Sequence, residues 1–351
     1  HHGDPNYIIK RQCLWLALGV VVCLFAASLD YHFWQRTCWL WYLGAAVFLM
    51  LCFVPGIGKR INGSARWINF GIGQFQPSEI AKLAVVACLA WWYSRESTNA
   101  RSFWQGFVAP LFIAGGLMAL IAPEVDIGTT ALIGMAAFAL MFVAGARTIY
   151  VVPICIIGLA GMIYVATQIG ERADRLLAFL DLEKYREGAG LQQWQALIAF
   201  GSGGIEGLGL GSGRQKMAYL PYAHTDFIFP MIGEELGLRI TLLIIFCYLL
   251  LILCGVAIAM QSRDRFGALL GVGVVLLIAL QAAVNIGVTT ALLPNKGLPL
   301  PFISYGGSNL VFCLLCIGIL INIYRQGLTD GDARRAQVRL MARTKPQLVR
   351  L

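Results

Sequence analysis

The residues best able to do chemistry cluster in one stretch, 203–238, GGIEGLGLGSGRQKMAYLPYAHTDFIFPMIGEELGL. It carries Arg214, Lys216, His224, Asp226, Glu234 and Glu235 among glycines, between two strongly apolar regions. Ionisable groups are costly to hold in an apolar chain, so such a stretch is a functional-site candidate by default. Two further sets lie elsewhere. Glu79 and Lys82, three residues apart at the head of an apolar segment, share a helix face. They form either a local ion pair that lets two charges enter the membrane edge, or the polar lining of a cavity. Asp126, in PEVDIGTT, is placed to cap a helix and is a second-tier site candidate.

These groups must be positioned by membrane helices. The 351-residue chain is 58% hydrophobic and 13% charged, where soluble domains carry about 25% charged residues. Its mean hydropathy is +0.72. The apolar residues come in blocks of about 17–24, the length of a bilayer-crossing helix. A membrane β-barrel would instead show short alternating segments. The expected fold is therefore an all-α polytopic membrane bundle of about nine spans, near 13–29, 38–54, 78–93, 105–122, 127–144, 148–168, 239–260, 266–288 and 308–324. One integral domain, 1–325, contains a large outer loop, 169–238, and is followed by a basic tail, 326–351. No cleavable signal peptide is expected, because Lys10 and Arg11 precede an apolar run without a small-residue cleavage site.

The formal charge of +9 comes largely from the tail. A basic tail just past a membrane helix reads as cytoplasmic and held at anionic membrane lipid; nucleic-acid binding is not expected. With the tail inside, loops 55–77, 169–238 and 289–307 fall outside. Loops 55–77 and 169–238 nonetheless carry Lys59, Arg60, Arg66, Arg172, Arg175, Lys184, Arg186, Arg214 and Lys216; either this topology is wrong, or an anionic ligand on the outer face explains them. Segment 171–202 is too polar to span and reads as amphipathic helices at the membrane surface. The glycine run GSGGIEGLGLGSG lacks the ending of a nucleotide loop; its backbone could still approach a ligand closely. Ser78, following Pro77, reads as a helix cap. Cys313 and Cys316 form a CxxC within an apolar helix and read as packing residues, as do most of the ten cysteines.

Three long motifs occur in order: SARWINFGIGQFQPSEIAKL, GLGLGSGRQKMAYLPYAHTDFIFPMIGEELGL and LPNKGLPLPFISYGGS. Together they resemble the SEDS family (shape, elongation, division and sporulation proteins) over essentially residues 5–325. Gln215-Lys216, Tyr219-Leu220-Pro221 and Gly233-Glu234-Glu235-Leu236-Gly237 are more similar to the family's cell-division branch than to its elongation branch, which is the runner-up. Family members have ten membrane helices with both ends cytoplasmic. This chain starts at what resembles the stretch before the second, so the first helix is expected to be missing. Departures at Tyr222, Pro230 and 183–186 do not touch Asp226.

The resemblance implies a glycosyltransferase of the bacterial cytoplasmic membrane that polymerises lipid II into peptidoglycan strands and releases undecaprenyl pyrophosphate. It implies a class B penicillin-binding protein and other division proteins as partners. A lipid II flippase and a non-catalytic scaffold are the competing readings. The implied reaction needs a base for the attacking hydroxyl and positive charge for the leaving pyrophosphate. The family's essential outer-loop aspartate matches Asp226, with helix capping as the alternative role. Arg66, Lys82, Arg214, Lys216 and Lys296 are candidates for the pyrophosphate and head group, with Glu79 holding Lys82. Trp67 is placed to stack on a sugar or to anchor at the interface, and His224 to hydrogen-bond beside the base. No cofactor or metal site is required by the sequence; Mg²⁺ or Mn²⁺ bridging pyrophosphate and Asp226 is compatible with the chemistry. Asp226, Glu79 and Lys82 are expected around one outward-facing cavity.

Overall fold

A computed structural model describes residues 7–61, 64–69, 74–124, 126–168, 170–213 and 225–343. Eleven α-helices are described: α1 Tyr7–Ser28, α2 His32–Leu51, α3 Pro77–Ser94, α4 Ala109–Ile121, α5 Ile127–Val143, α6 Thr148–Gln168, α7 Gly170–Leu180, α8 Leu191–Gly203, α9 Ile228–Met260, α10 Arg265–Thr289 and α11 Gly307–Arg343. Helices occupy every segment expected to span. Among the described residues, five stretches are long and apolar enough to cross a membrane by themselves: Tyr7–Ser28, Trp104–Glu124, Ile228–Met260, Arg265–Thr289 and Gly307–Leu328.

α3 is the centre of the bundle. Nearly every side chain from Pro77 to Ala90 is buried, and its Ala81, Ala84, Ala87 and Ala90 let neighbours come close. α10 crosses it through Gly273, where an added Cβ would lie 2.3 Å from Val86. α1 packs along α11 in the same way: a Cβ at Gly318 would lie 2.4 Å from the Cys23 carbonyl. Cys313 and Cys316 are buried in the α11 face of this core, as packing residues should be.

The loop between α2 and α3 holds a small antiparallel sheet, order β1-β2-β3, from β1 Gly58–Ile61, β2 Ser64–Asn69 and β3 Gln74–Phe75. Ile61 pairs with Ser64 across residues 62–63. The loop expected over 55–77 thus contains strands. Strands this short leave little period-2 pattern to read. α3 starts two residues after β3, with Gln76 at its N-cap position and Pro77 in the first turn. Pro lacks the N–H that the first turn would leave unused, so Ser78 sits inside the helix, fully buried, rather than capping it.

α8 corrects a second expectation. It does not only lie at a surface: Gln193, Ala196 and Ala199 are buried against α9 and α10, and Gln193 Nε2 donates to the Val288 and Leu293 carbonyls at 2.9 and 2.8 Å. α11 continues without interruption from its apolar part to Arg343, so the start of the basic tail is helical.

The glycine run approaches a helix. α9 breaks at Gly237 (φ 75°, ψ −176°), leaving backbone groups on both sides without helical partners. Leu208 N–H donates to the Glu234 carbonyl at 3.0 Å and Gly209 N–H to Glu235 at 2.9 Å. In return Leu238 N–H donates to Gly204 and Arg239 N–H to Ile205. The contact is possible because a Cβ at Gly203 would lie 2.0 Å from the Gly233 carbonyl, and one at Gly207 2.3 Å from that of Glu235.

Candidate functional site

The sheet, the first turns of α3, α5 and α9, the last turns of α4 and α10, and the loop 290–306 meet at one end of the bundle. All the charged side chains that are buried among the described residues, Glu79, Lys82, Glu124, Asp126 and Glu234, belong to this end.

Asp126 organises one group. It is 3% exposed and caps α5, as expected: Oδ1 accepts from Thr129 N–H at 3.1 Å and Oδ2 from Thr129 Oγ1 at 2.8 Å. Capping does not exhaust it. Gln76 Nε2 donates to Oδ2 at 3.1 Å, and Arg66 from β2 lies 3.8 Å away. Arg66 is also 6.0 Å from the Trp67 ring, and Trp67, half-buried, pairs with Lys59 across the hairpin. Glu124, two residues before Asp126, is 1% exposed and joins the same cluster.

Asp226 faces this group. The capping alternative fails here: Phe227 takes the N-cap position of α9 and makes no side-chain cap bond. The Asp226 carboxylate receives no hydrogen bond among the described residues, and a Cβ at Gly297 would lie 2.5 Å from its Oδ2. Crowding by protein raises its pKa to about 6; Arg66 pulls it down and Asp126 pushes it up. A carboxylate so held is ionised at neutral pH yet basic enough to accept a proton. Its main chain is fixed from two sides. Asn285 Nδ2 donates to the Asp226 carbonyl at 2.8 Å, and Ser304 Oγ donates to the Thr225 carbonyl.

The third group is one turn deeper. Lys82 Nζ lies 2.7 Å from Glu79 Oε2 and donates to Gln281 Oε1 at 2.8 Å. Its ammonium also sits 4.4 Å from the centre of the Phe312 ring. Lys82 is 1% exposed, so its charge is consumed inside the protein. Glu79 additionally lies 3.5 Å from Asn309 Nδ2. With Ser308 it supplies the polar lining of a mostly apolar cavity of about 180 Å³ between α2, α3 and α11, walled by Trp34, Trp41, Phe75 and Phe312 among others. Asp226 and Lys82 do not line that cavity. The structure therefore brings Asp226, Asp126 and Arg66 together, and places Glu79–Lys82 beneath them, linked through Gln281.

Lys296 is half-buried in the loop beside Gly297. Arg214, Lys216 and His224 lie outside the described residues. Among the described residues no three metal-ligating side chains converge. Sequence reasoning did not single out Glu124, Gln281, Asn285 or Gly297. For the two amides the signal was there: polar residues one turn apart in the apolar run IALQAAVNIGV.

The chain matches the model of the FtsW, RodA and SpoVE family, described as cell cycle proteins, over residues 1–328. It is 39% identical over 320 residues to the probable peptidoglycan glycosyltransferase FtsW of Geobacter metallireducens, covering 91% of this chain and 85% of that one. It is 38% identical over 322 residues to stage V sporulation protein E of Bacillus subtilis, covering 92% and 88%. A chain in a structure titled for the structural coordination of polymerization and crosslinking by a peptidoglycan synthase complex superposes with a TM-score of 0.77 at 26% identity, covering 92% and 91%. The rod shape determining protein RodA of Thermus thermophilus gives 0.68 at 26% identity, covering 92% and 88%. With the motifs, the helical bundle and these matches in agreement, this multi-pass membrane protein belongs to the FtsW/RodA/SpoVE family.

Proposed function

We infer that this protein is a peptidoglycan glycosyltransferase that polymerises lipid II during cell division, with its site on the outer face of the bacterial cytoplasmic membrane and its C-terminus inside. The names of its FtsW relatives support the activity and the division role. The observation that carries the mechanism is Asp226: a crowded carboxylate with no capping role, facing Arg66.

In the reaction a sugar hydroxyl of one lipid-linked chain attacks the anomeric carbon of another. The new C–O bond forms as the bond to pyrophosphate breaks, and the pyrophosphate leaves with the electron pair. Asp226 takes the hydroxyl proton. Positive charge from Arg66, Lys296, Arg214 and Lys216 meets the pyrophosphate. Gln76 and Thr129 hold Asp126, and Asp126 in turn draws Arg66 to within 3.8 Å. Lys82, sealed by Glu79, Gln281 and Phe312, supports the floor of the site instead of reaching substrate. The mostly apolar cavity beside Glu79 has room for part of a lipid chain. A divalent cation, when bound with the substrate, would neutralise part of the pyrophosphate charge. A class B penicillin-binding protein as partner is in keeping with the synthase complex whose chain this fold resembles.

The test is purified protein with lipid II and the partner transpeptidase, scored for glycan polymer on gels. Wild type should polymerise and Asp226→Ala should not. Equal polymer from both would remove Asp226 from the chemistry.

A further inference from the structure

Gln281 and Asn285 are four residues apart on α10 and so share one face. They are 2% and 1% exposed. A buried amide in a membrane helix is costly unless its donors are used, and these donors are used in a specific way. Both grip the loop 294–301: Gln281 Nε2 donates to the Pro299 carbonyl at 2.8 Å, and Asn285 Nδ2 to the Leu298 carbonyl at 2.6 Å. Each then reaches a second element. Gln281 Oε1 accepts from Lys82, and Asn285 Nδ2 donates to the main-chain carbonyl of Asp226 at 2.8 Å.

The Asn285 amide thus joins the two walls that meet at the carboxylate. One wall is the turn that carries Asp226. The other is the loop whose Gly297 lies against Asp226 Oδ2. Asn285 Oδ1, by contrast, is buried without a hydrogen-bond partner. What the site retains is the pair of N–H donors, at the cost of an unsatisfied oxygen. Packing alone would be served as well by a leucine of similar shape. We propose that Asn285 is a positioning residue for Asp226, setting where its carboxylate stands relative to Gly297 and Arg66, with Gln281 tying the same loop to the buried Glu79–Lys82 pair. The proposal rests on Asp226 being the base.

The test compares Asn285→Leu, Asn285→Ser and Asp226→Asn with wild type in the lipid II polymerisation assay, with folding followed by thermal denaturation in detergent. A displaced base costs turnover, and a shift on the order of 1 Å can lower it about 100-fold. Asn285→Leu should lower kcat by ~10–100-fold with KM nearly unchanged. It should also move the acid limb of the kcat/KM profile, because Asp226 shifts relative to Arg66 and Asp126, the charged groups that face it. Asn285→Ser keeps one donor, and should fall between the two and remain measurable if the leucine variant does not fold. A folded Asn285 variant with wild-type kcat, or one whose loss is equal at every pH, overturns the positioning role. If Asp226→Asn retains full activity, the base assignment itself fails, whatever Asn285 does. Inactive Asp226→Asn beside fully active Asn285→Ser and Asn285→Leu leaves the base in place and removes this proposal alone.

Discussion

Lys82 Nζ lies 2.7 Å from Glu79 Oε2, with the side chains 1% and 6% exposed. Breaking a buried pair leaves one charge without compensation and costs about 3–5 kcal/mol, whereas replacing both partners by apolar groups is often neutral. Lys82→Met and Glu79→Leu should each lower the midpoint of thermal unfolding in detergent. The double variant should recover most of that loss. Its polymerisation should not recover, because Gln281 Oε1 then lacks the Lys82 donor that anchors the loop next to Asp226. Full activity in the double variant would make the pair a stability feature alone.

Asp226 should write its titration into the rate. The carboxylate must be ionised to accept a proton, so kcat/KM should rise with pH through about 6. Arg66 lowers this pKa and Asp126 raises it. Arg66→Gln should therefore move the acid limb to higher pH, and Asp126→Asn to lower pH. Stability should change the opposite way from activity. The folded state raises the Asp226 pKa above its ordinary 3.8, so ionisation penalises folding above about 6 and has no effect once both states are protonated. Asp226→Asn should thus melt higher than wild type at neutral pH, with the gain vanishing below about 4. A pH-independent difference in melting would show that the carboxyl is not held in this environment.

The bundle was legible because membrane helices announce themselves by length and hydropathy, and nearly all of their backbone bonds are local. Asp226, Glu79, Lys82 and Asp126 were legible because charges stand out in apolar sequence. How they group was not. Lys82 meets Gln281 across 199 positions of the chain, and no periodicity reports which amide faces which lysine. The hairpin was hidden by its shortness. The role of the glycine run was hidden by its partner, since the approach to Glu234 and Glu235 depends on a break at Gly237 that a helical pattern does not reveal.

Gly297 offers a test of placement that leaves the charges alone. A Cβ there would lie 2.5 Å from Asp226 Oδ2 and, among the described residues, meets nothing else closer than the same carboxyl's carbon at 3.4 Å. An aspartate tip can swing aside at little energetic cost, so Gly297→Ala should fold with near wild-type stability. The swing re-aims the base, and turnover should fall by about 10-fold or more. Thermal denaturation and the polymerisation assay on the same preparation check both halves. Unchanged turnover would mean that this orientation of the carboxylate is not the working one.

Gly237 is the remaining lever, and it acts through the backbone. Its φ of 75° with ψ of −176° is a conformation essentially limited to glycine. A side chain there would also meet the Gly207 nitrogen and the Ile205 carbonyl, each at 2.5 Å. Gly237→Ala should therefore both strain the break and push the 203–209 strap from the carbonyls of Glu234 and Glu235. Strain of this kind costs on the order of 1–3 kcal/mol, and the released backbone groups add to it. The break separates residues 228–236, which follow directly on Asp226, from the long apolar limb of α9. Loosening it should raise hydrogen exchange at Leu208, Gly209 and Leu238, whose N–H groups make the strap's bonds, while the amides of α3 in the core stay protected. Exchange that rose equally in α3 would point to global destabilisation, and exchange unchanged at all three strap positions would show that the helix accepts a side chain at its break.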